Sequence, residues 1–362
     1  MLDVCDHIPA YIKAIEPYKP GKPLSELERE LGIQNAIKLA SNENPLGPSP
    51  LALAKTKEVL PEIAFYPDGH AYALRQALAR FYGISPNMVV PGNGSNDILD
   101  LLARLFLKAD TEGIYSRYAF AIFRLVIQMT GALPVEVQDR HFSHDLQSMQ
   151  RAINGRTRII FIANPNNPTG TFVPLDKLYD FLEQVPSDVV VVLDEAYIEY
   201  LPDMRFKSIE WLQKFPNLVI TRTFSKVYGL AGLRVGYALM SETLATYVDR
   251  IRPTFNVNSL AQAAAVAALD DETHVTKSVV LNESEKKRLT KALTNLGLVV
   301  LPSFANFLAI QVGNGQQVFQ ALLHHGVIVR PLDAYGMPEY IRVTIGLPEE
   351  NERFLSALQN LV

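Results

Sequence analysis

The sequence predicts an α/β protein: a large unit with a mainly parallel sheet sandwiched by helices, followed by a smaller α+β unit. Three observations carry this. Residues 158–163, 189–193 and 218–221 are short, β-branched, nearly continuous apolar runs, the pattern of strands buried on both faces. Helical stretches at 175–184 and 208–214 lie between them, and strands alternating with helices predict a parallel sheet. The last third changes rhythm, with a long polar helix and then strands and helices in mixed order.

The elements follow in order. Residues 1–40 contain Pro9, Pro17, Pro20 and Pro23 and read as an arm that packs with the small unit, with a short helix at 24–31. Ile37-Lys38-Leu39-Ala40 leads into the turn-rich loop Ser41-Asn42-Glu43-Asn44-Pro45-Leu46-Gly47-Pro48. A helix at 71–82 places Leu74, Leu78 and Phe81 on one face. Met88-Val89-Val90-Pro91 is a strand edge. Gly92-Asn93-Gly94-Ser95-Asn96-Asp97 follows, with Ser95 as the expected N-cap of a helix running through Phe106. An alanine-rich core helix is expected near 260–269. The large unit is placed at 41–258 and the small one at 259–362. In the small unit, helices are expected at 283–296, 316–324 and 349–361, and strands at 299–301, 307–310, 327–330 and 340–344.

The chain has 362 residues, 48% hydrophobic and 20% charged, with a net charge of −4. That balance argues against a nucleic-acid surface, which needs clustered Lys and Arg. Cys5 is the single cysteine, so no internal disulfide forms, as befits a reducing compartment such as the cytoplasm. Asp3, Asp6 and His7 near the N-terminus do not suit a signal peptide, and no apolar run reaches the length of a membrane span. No HExxH, CxxC or Gly-x-Ser-x-Gly pattern occurs, so neither a metal site nor a hydrolase is expected.

The chemistry gathers at strand ends, where open parallel sheets bind ligands. The run from Thr221 to Tyr237 holds Thr223, Ser225, Lys226, a glycine-rich stretch and Arg234. A lysine there condenses with an aldehyde, and the hydroxyls and arginine hold a phosphate; pyridoxal phosphate carries both groups. Asp194 ends a strand and suits a protonated pyridine nitrogen, although a helix N-cap aspartate reads the same way. Tyr197 lies three positions on. Asn164-Pro165-Asn166-Asn167-Pro168-Thr169-Gly170 is either a constrained site loop, with Asn167 as donor to a phenolate oxygen, or a plain surface turn. The turn before Ser95 and Asn96 exposes backbone amides at a helix start. Tyr118 suits a ring-stacking role or a core aromatic. Arg330 and Arg342 sit in apolar strands, where a charge needs a partner.

Taken in order, Asn164–Gly170, Asp194-Glu195-Ala196-Tyr197, Thr223-Phe224-Ser225-Lys226 and Gly232-Leu233-Arg234-Val235-Gly236 resemble the fold-type I pyridoxal-phosphate aminotransferases. The loop Leu39–Pro48, Tyr66-Pro67-Asp68-Gly69, Val327-Ile328-Val329-Arg330 and Ile341–Gly346 are similar, more narrowly, to the histidinol-phosphate aminotransferases. Ser116 departs from the proline that many relatives place before the stacking tyrosine.

The resemblance implies transamination between histidinol phosphate and 2-oxoglutarate, giving imidazole-acetol phosphate and glutamate, within histidine biosynthesis. It implies that Lys226 binds the cofactor and moves the Cα proton. Asp194 would pair with the ring nitrogen, Tyr197 and Asn167 would bond the ring oxygen, and Tyr118 would stack on the ring. Ser95, Asn96, Thr223, Ser225 and Arg234 would hold the phosphate. Tyr66 would reach the phosphate of a partner subunit's cofactor, which makes a homodimer with shared sites. Tyr18, Asn42, Arg330 and Arg342 would bind substrate. An aromatic-amino-acid aminotransferase and a threonine-phosphate decarboxylase are the alternatives on this scaffold.

Overall fold

The computed structural model describes residues 3–17 and 21–361. Short helices α1 (Ala10–Lys13) and α2 (Leu24–Leu31) precede a two-residue strand, β1 (Ile37–Lys38). The main sheet then forms from β2 (Val89–Gly92), β3 (Glu112–Ser116), β4 (Leu133–Val137), β5 (Thr157–Ala163), β6 (Val190–Asp194), β7 (Leu218–Thr223) and β8 (Gly236–Leu239). Their order is β2-β8-β7-β6-β5-β3-β4. β3 to β7 run parallel, and β8 is antiparallel to both its neighbours.

Helices cover both faces, as the apolar strands require. They are α3 (Pro50–Val59), α4 (Tyr72–Tyr82), α5 (Ser95–Phe106), α6 (Ala121–Met129), α7 (Leu146–Ala152), α8 (Leu175–Gln184), α9 (Glu242–Ile251) and α10 (Ser259–Leu269). Ile160 and Ile162 of β5 join Leu74, Leu78 and Leu178 in one core. Ile159 and Phe161 face the other way, into a core with Leu99, Leu102 and Phe123. This is the two-residue alternation of a strand covered on both sides.

The last third builds a second sheet, in the order β12-β13-β10-β9, from β9 (Val299–Val300), β10 (Phe307–Gln311), β12 (Arg330–Pro331) and β13 (Tyr340–Thr344). Helices α11 (Glu272–Asn295), α12 (Gly315–His324) and α13 (Pro348–Gln359) pack with it. β11 (Val327–Ile328) pairs in parallel with β1, with Ile37 opposite Val327. Leu39 enters the core formed by Leu293, Leu308, Ile341 and Phe354. No helix among the described residues is long and apolar enough to cross a membrane.

The expected break at residue 259 does not separate two packed units. Ala261, Ala264, Ala265 and Ala268 of α10 lie in the same core as Leu74 and Ile160. The long helix begins at Glu272, earlier than the expected 283. Its Val275 belongs to that larger core, and its Leu289 and Leu293 to the smaller one. The change of core therefore falls inside α11. Ser95 is not the N-cap either: Gly94 is, at φ 80°, and the helix starts at Ser95. A glycine takes that left-handed turn without a Cβ clash, and the Ser95 side chain is left for other partners.

Candidate active site

β5, β6 and β7 end side by side, with Ala163 opposite Asp194 and Asp194 opposite Thr221. A cavity of about 280 Å³ opens at these carboxyl ends, where a parallel sheet offers a ligand site.

Lys226 lies on the loop after β7 and lines this cavity. Its Nζ donates to the Ser41 carbonyl at 3.2 Å. Burial, aided by the positive charge of Arg342, pushes its ammonium down to about 8. Asp194, the last residue of β6, is 4% exposed. Burial pushes its carboxyl up to about 6, although Thr221 Oγ1 donates to Oδ1 at 3.1 Å. An acid held out of water in this way gains most from a cation beside it.

Tyr197 accepts a hydrogen bond from Asn42 Nδ2 at 2.9 Å, and burial pushes its phenol up to about 12. Asn42 sits at φ 57°. Its amide donates to Thr344 Oγ1 at 2.9 Å, and its carbonyl accepts from Asn306 at 3.0 Å. These bonds hold a backbone shape that non-glycine residues rarely adopt.

A second group of side chains forms an anion cradle. Ser225 Oγ accepts from Thr223 Oγ1 at 2.9 Å and from Arg234 Nη1 at 3.4 Å. Ser95 and Asn96, at the start of α5, line the same cavity. They bring unpaired backbone amides and the positive end of a helix. Gly236 permits this approach, because a Cβ there would stand 2.5 Å from the Ser95 amide.

A further cationic group comes from the smaller sheet. Arg330 and Arg342 are cross-strand partners, 8% and 6% exposed, and both line the cavity. An anionic group of a ligand in the cavity would therefore meet guanidiniums from two neighbouring strands. Arg342 Nη2 donates to the Ala40 carbonyl at 2.8 Å, and Nη1 donates to Asn167 Oδ1. With its oxygen so engaged, Asn167 offers its NH₂ to the cavity.

Three expected residues are not among those that line this cavity as described. Tyr18 lies outside the described residues. Tyr66, expected at a partner subunit's site, is 83% exposed and stacks on Phe255 at 4.8 Å. Tyr118 does not line the cavity. Its ring packs against Phe142 at 5.5 Å, in a cluster with Leu332 and Tyr340. Phe120, two residues on, lines the cavity instead. Both rings occur in one Tyr-Ala-Phe run, and only the turn into α6 decides which lines the cavity. Ser41 was also missed as a site residue; it contributes through a backbone carbonyl, which no side-chain pattern reveals.

The donor set fits pyridoxal phosphate. A lysine of lowered pKa suits its aldehyde, a buried carboxylate its ring nitrogen, Asn167 and Tyr197 its ring oxygen, and a hydroxyl, arginine and helix-end cradle its phosphate. Comparison with known proteins agrees. Residues 34–358 match the family described as aminotransferase class I and II. The chain is 51% identical over 361 residues to histidinol-phosphate aminotransferase 2 of Nitrosospira multiformis, covering 99% of this chain and 92% of that protein. The chain belongs to the histidinol-phosphate aminotransferases. A second member of this family, from Methylobacillus flagellatus, is 52% identical over 365 residues, covering 100% of this chain and 99% of its own. A crystal structure of histidinol-phosphate aminotransferase from Sinorhizobium meliloti, in complex with pyridoxal-5′-phosphate, is 29% identical with a TM-score of 0.89, covering 98% of this chain and 97% of that one. The protein is thus an enzyme, an aminotransferase of the fold-type I architecture.

Proposed function

We propose that this aminotransferase exchanges an amino group between histidinol phosphate and 2-oxoglutarate, using pyridoxal 5′-phosphate, in histidine biosynthesis. The observation that carries the substrate reading is the facing pair Arg330 and Arg342. It is a cationic group additional to the Thr223–Ser225–Arg234 cradle in one cavity. One group serves the cofactor phosphate. The other serves the phosphate of histidinol phosphate in one half-reaction and a carboxylate of glutamate in the other.

Pyridoxal phosphate, when bound, supplies the electron sink for the carbanion at substrate Cα. Lys226 holds the cofactor and then moves the proton between substrate Cα and cofactor C4′. Asp194 keeps the ring nitrogen protonated. Tyr197, oriented by Asn42, and the NH₂ of Asn167 bond the ring oxygen. Tyr118 would stack on the ring, and Phe120 lines the cavity that the ring would occupy. Arg342 ties substrate binding to Asn167 through their shared hydrogen bond.

A spectroscopic titration tests the substrate. Histidinol phosphate at low concentration should bleach the absorbance of the bound cofactor, while phenylalanine acts only at far higher concentration. The reverse preference would move the enzyme to aromatic amino acids. Release of carbon dioxide without a keto-acid requirement would instead indicate a decarboxylase.

The enzyme acts as a homodimer with shared sites in this reading. Ile63, Phe65, Tyr66 and Tyr72 are 65%, 74%, 83% and 66% exposed. Monomers rarely leave so much contiguous apolar surface in water. A second copy would cover it and bring Tyr66 to the partner's phosphate cradle. Light scattering should give the mass of two chains, and a single-chain mass would overturn this. One exposed cysteine, Cys5, suits residence in the reducing cytoplasm.

A further inference from the structure

Asn44 is 8% exposed, yet the chemistry above makes no use of it. Its side-chain Oδ1 accepts from the Leu46 amide at 3.0 Å. Its Nδ2 donates to the Val227 carbonyl at 2.7 Å and to Ser278 Oγ at 2.8 Å, and His274 Nε2 lies 3.3 Å from it. The direction at Ser278 is fixed. The Ser278 hydroxyl gives its own proton to the His274 carbonyl at 2.8 Å, so its oxygen accepts from Asn44. Both protons of the Asn44 amide are therefore committed.

The place of these bonds matters. Val227 directly follows Lys226, in a turn closed by Gly229 N–H to the Lys226 carbonyl at 3.0 Å. The loop 41–49 crosses that turn and holds it at three points. The Ser41 carbonyl accepts from Lys226 Nζ at 3.2 Å, Asn44 holds the Val227 carbonyl, and the Ser49 amide donates to the Tyr228 carbonyl at 3.2 Å. One loop thus grips the lysine at its amine and at the peptide behind it. The same loop is fastened to the start of α11, by Asn44 to Ser278 and by Ser49 Oγ, which donates to Asp271 Oδ2 at 2.7 Å. Of the three contacts on the Lys226 turn, the one from Asn44 is made by a side chain, and the other two are made by the backbone.

We propose that Asn44 is a positioning residue for Lys226: by tying the Val227 carbonyl to Ser278 of α11, it fixes the turn that carries the lysine against the loop whose Ser41 carbonyl aims Nζ. The inference rests on the reading of Lys226 as the group that binds pyridoxal phosphate. It places Asn44 outside the reacting atoms and gives it one task, the direction in which the amine points.

The test uses full-length apoprotein and two probes. Pyridoxal phosphate at saturating concentration reports capture, in which Nζ bonds the aldehyde carbon and the aldehyde oxygen leaves as water. Pyridoxine 5′-phosphate has the ring and phosphate but no aldehyde, so its Kd reports the rest of the site. Asn44→Ala should slow capture about tenfold, the scale on which a small misplacement of a reacting group lowers its rate. The same variant should leave the Kd of pyridoxine 5′-phosphate within about twofold of the parent. Ser278→Ala, which removes one of the two partners of the amide, should slow capture about threefold, and should slow it no further in the Asn44→Ala background. A general loosening of the fold would weaken both probes together. Capture unmoved by Asn44→Ala, or a matching tenfold loss of affinity for pyridoxine 5′-phosphate, would overturn the inference alone. If Asn44→Ala does not fold, Ser278→Ala carries the comparison, and capture at the parent rate would overturn the inference. A parent protein that captures no pyridoxal phosphate would bring down the reading of Lys226 itself, and the inference with it.

Discussion

Replacing Lys226 with alanine is expected to lower kcat by about 10⁴-fold or more, since the variant loses both the covalent hold on the cofactor and the group that moves the proton. No other amine takes over: the cationic side chains named at the site, Arg234, Arg330 and Arg342, are guanidiniums, which do not deprotonate in proteins. Borohydride should fix the cofactor to the parent protein and leave none on the variant. The parent also carries a pH signature. The neutral amine is the nucleophile and appears as pH rises through its pKa. Because burial has brought that pKa down to about 8, cofactor capture by apoprotein should rise about tenfold per pH unit below that value and level off above it. An alanine variant within tenfold of the parent in kcat, or capture still climbing at pH 10, would reject Lys226.

Arg222→Met should be the most damaging single change to stability away from the cavity. Arg222 is fully buried, and Glu195 is 1% exposed. Arg222 Nε and Nη2 both donate to Glu195 Oε2, at 3.0 and 2.6 Å; Nη2 also donates to the Arg205 carbonyl at 2.6 Å, and Nη1 to Tyr82 at 2.9 Å. The pair bolts β7 to the end of β6, one residue beyond both Thr221 and Asp194. Removing the guanidinium strands a carboxylate in the core, at a cost of about 3–5 kcal/mol. Urea unfolding should show this as a lower midpoint with an unchanged slope. Adding Glu195→Leu should recover much of the loss, because the uncompensated charge then disappears. A midpoint that does not move would mean that water or a rearranged partner satisfies Glu195.

The legible parts of the fold were those with an unambiguous local pattern. β5, β6 and β7 are apolar on both faces, so their runs stand out. β3 is also fully buried, but it reads Glu112-Gly113-Ile114-Tyr115-Ser116. Glu112 survives there because Asn154 donates to it at 2.6 Å and Arg156 pairs with it, partners that only the fold supplies. β4 contains Pro134 at the sheet edge, and β8 hides within the glycine-rich motif after Lys226. Helices α3, α6, α7 and α9 also went unanticipated.

At the site, Lys226, Asp194, Asn167 and Arg234 line one cavity, and each sits in a short motif with a fixed chemical demand. That Phe120 rather than Tyr118 lines this cavity could not be read, because choosing between two rings two residues apart requires the turn geometry.

The pairing of β1 with β11 has a consequence for how the enzyme comes into being. Ile37 waits for Val327, and Arg342 closes on the Ala40 carbonyl from 302 positions away. Contacts so distant in sequence form late and slowly. A ribosome that has already released Lys226 and its whole sheet has still not made a place for the substrate. The substrate side of the site is therefore completed only after the final strands have left the exit tunnel.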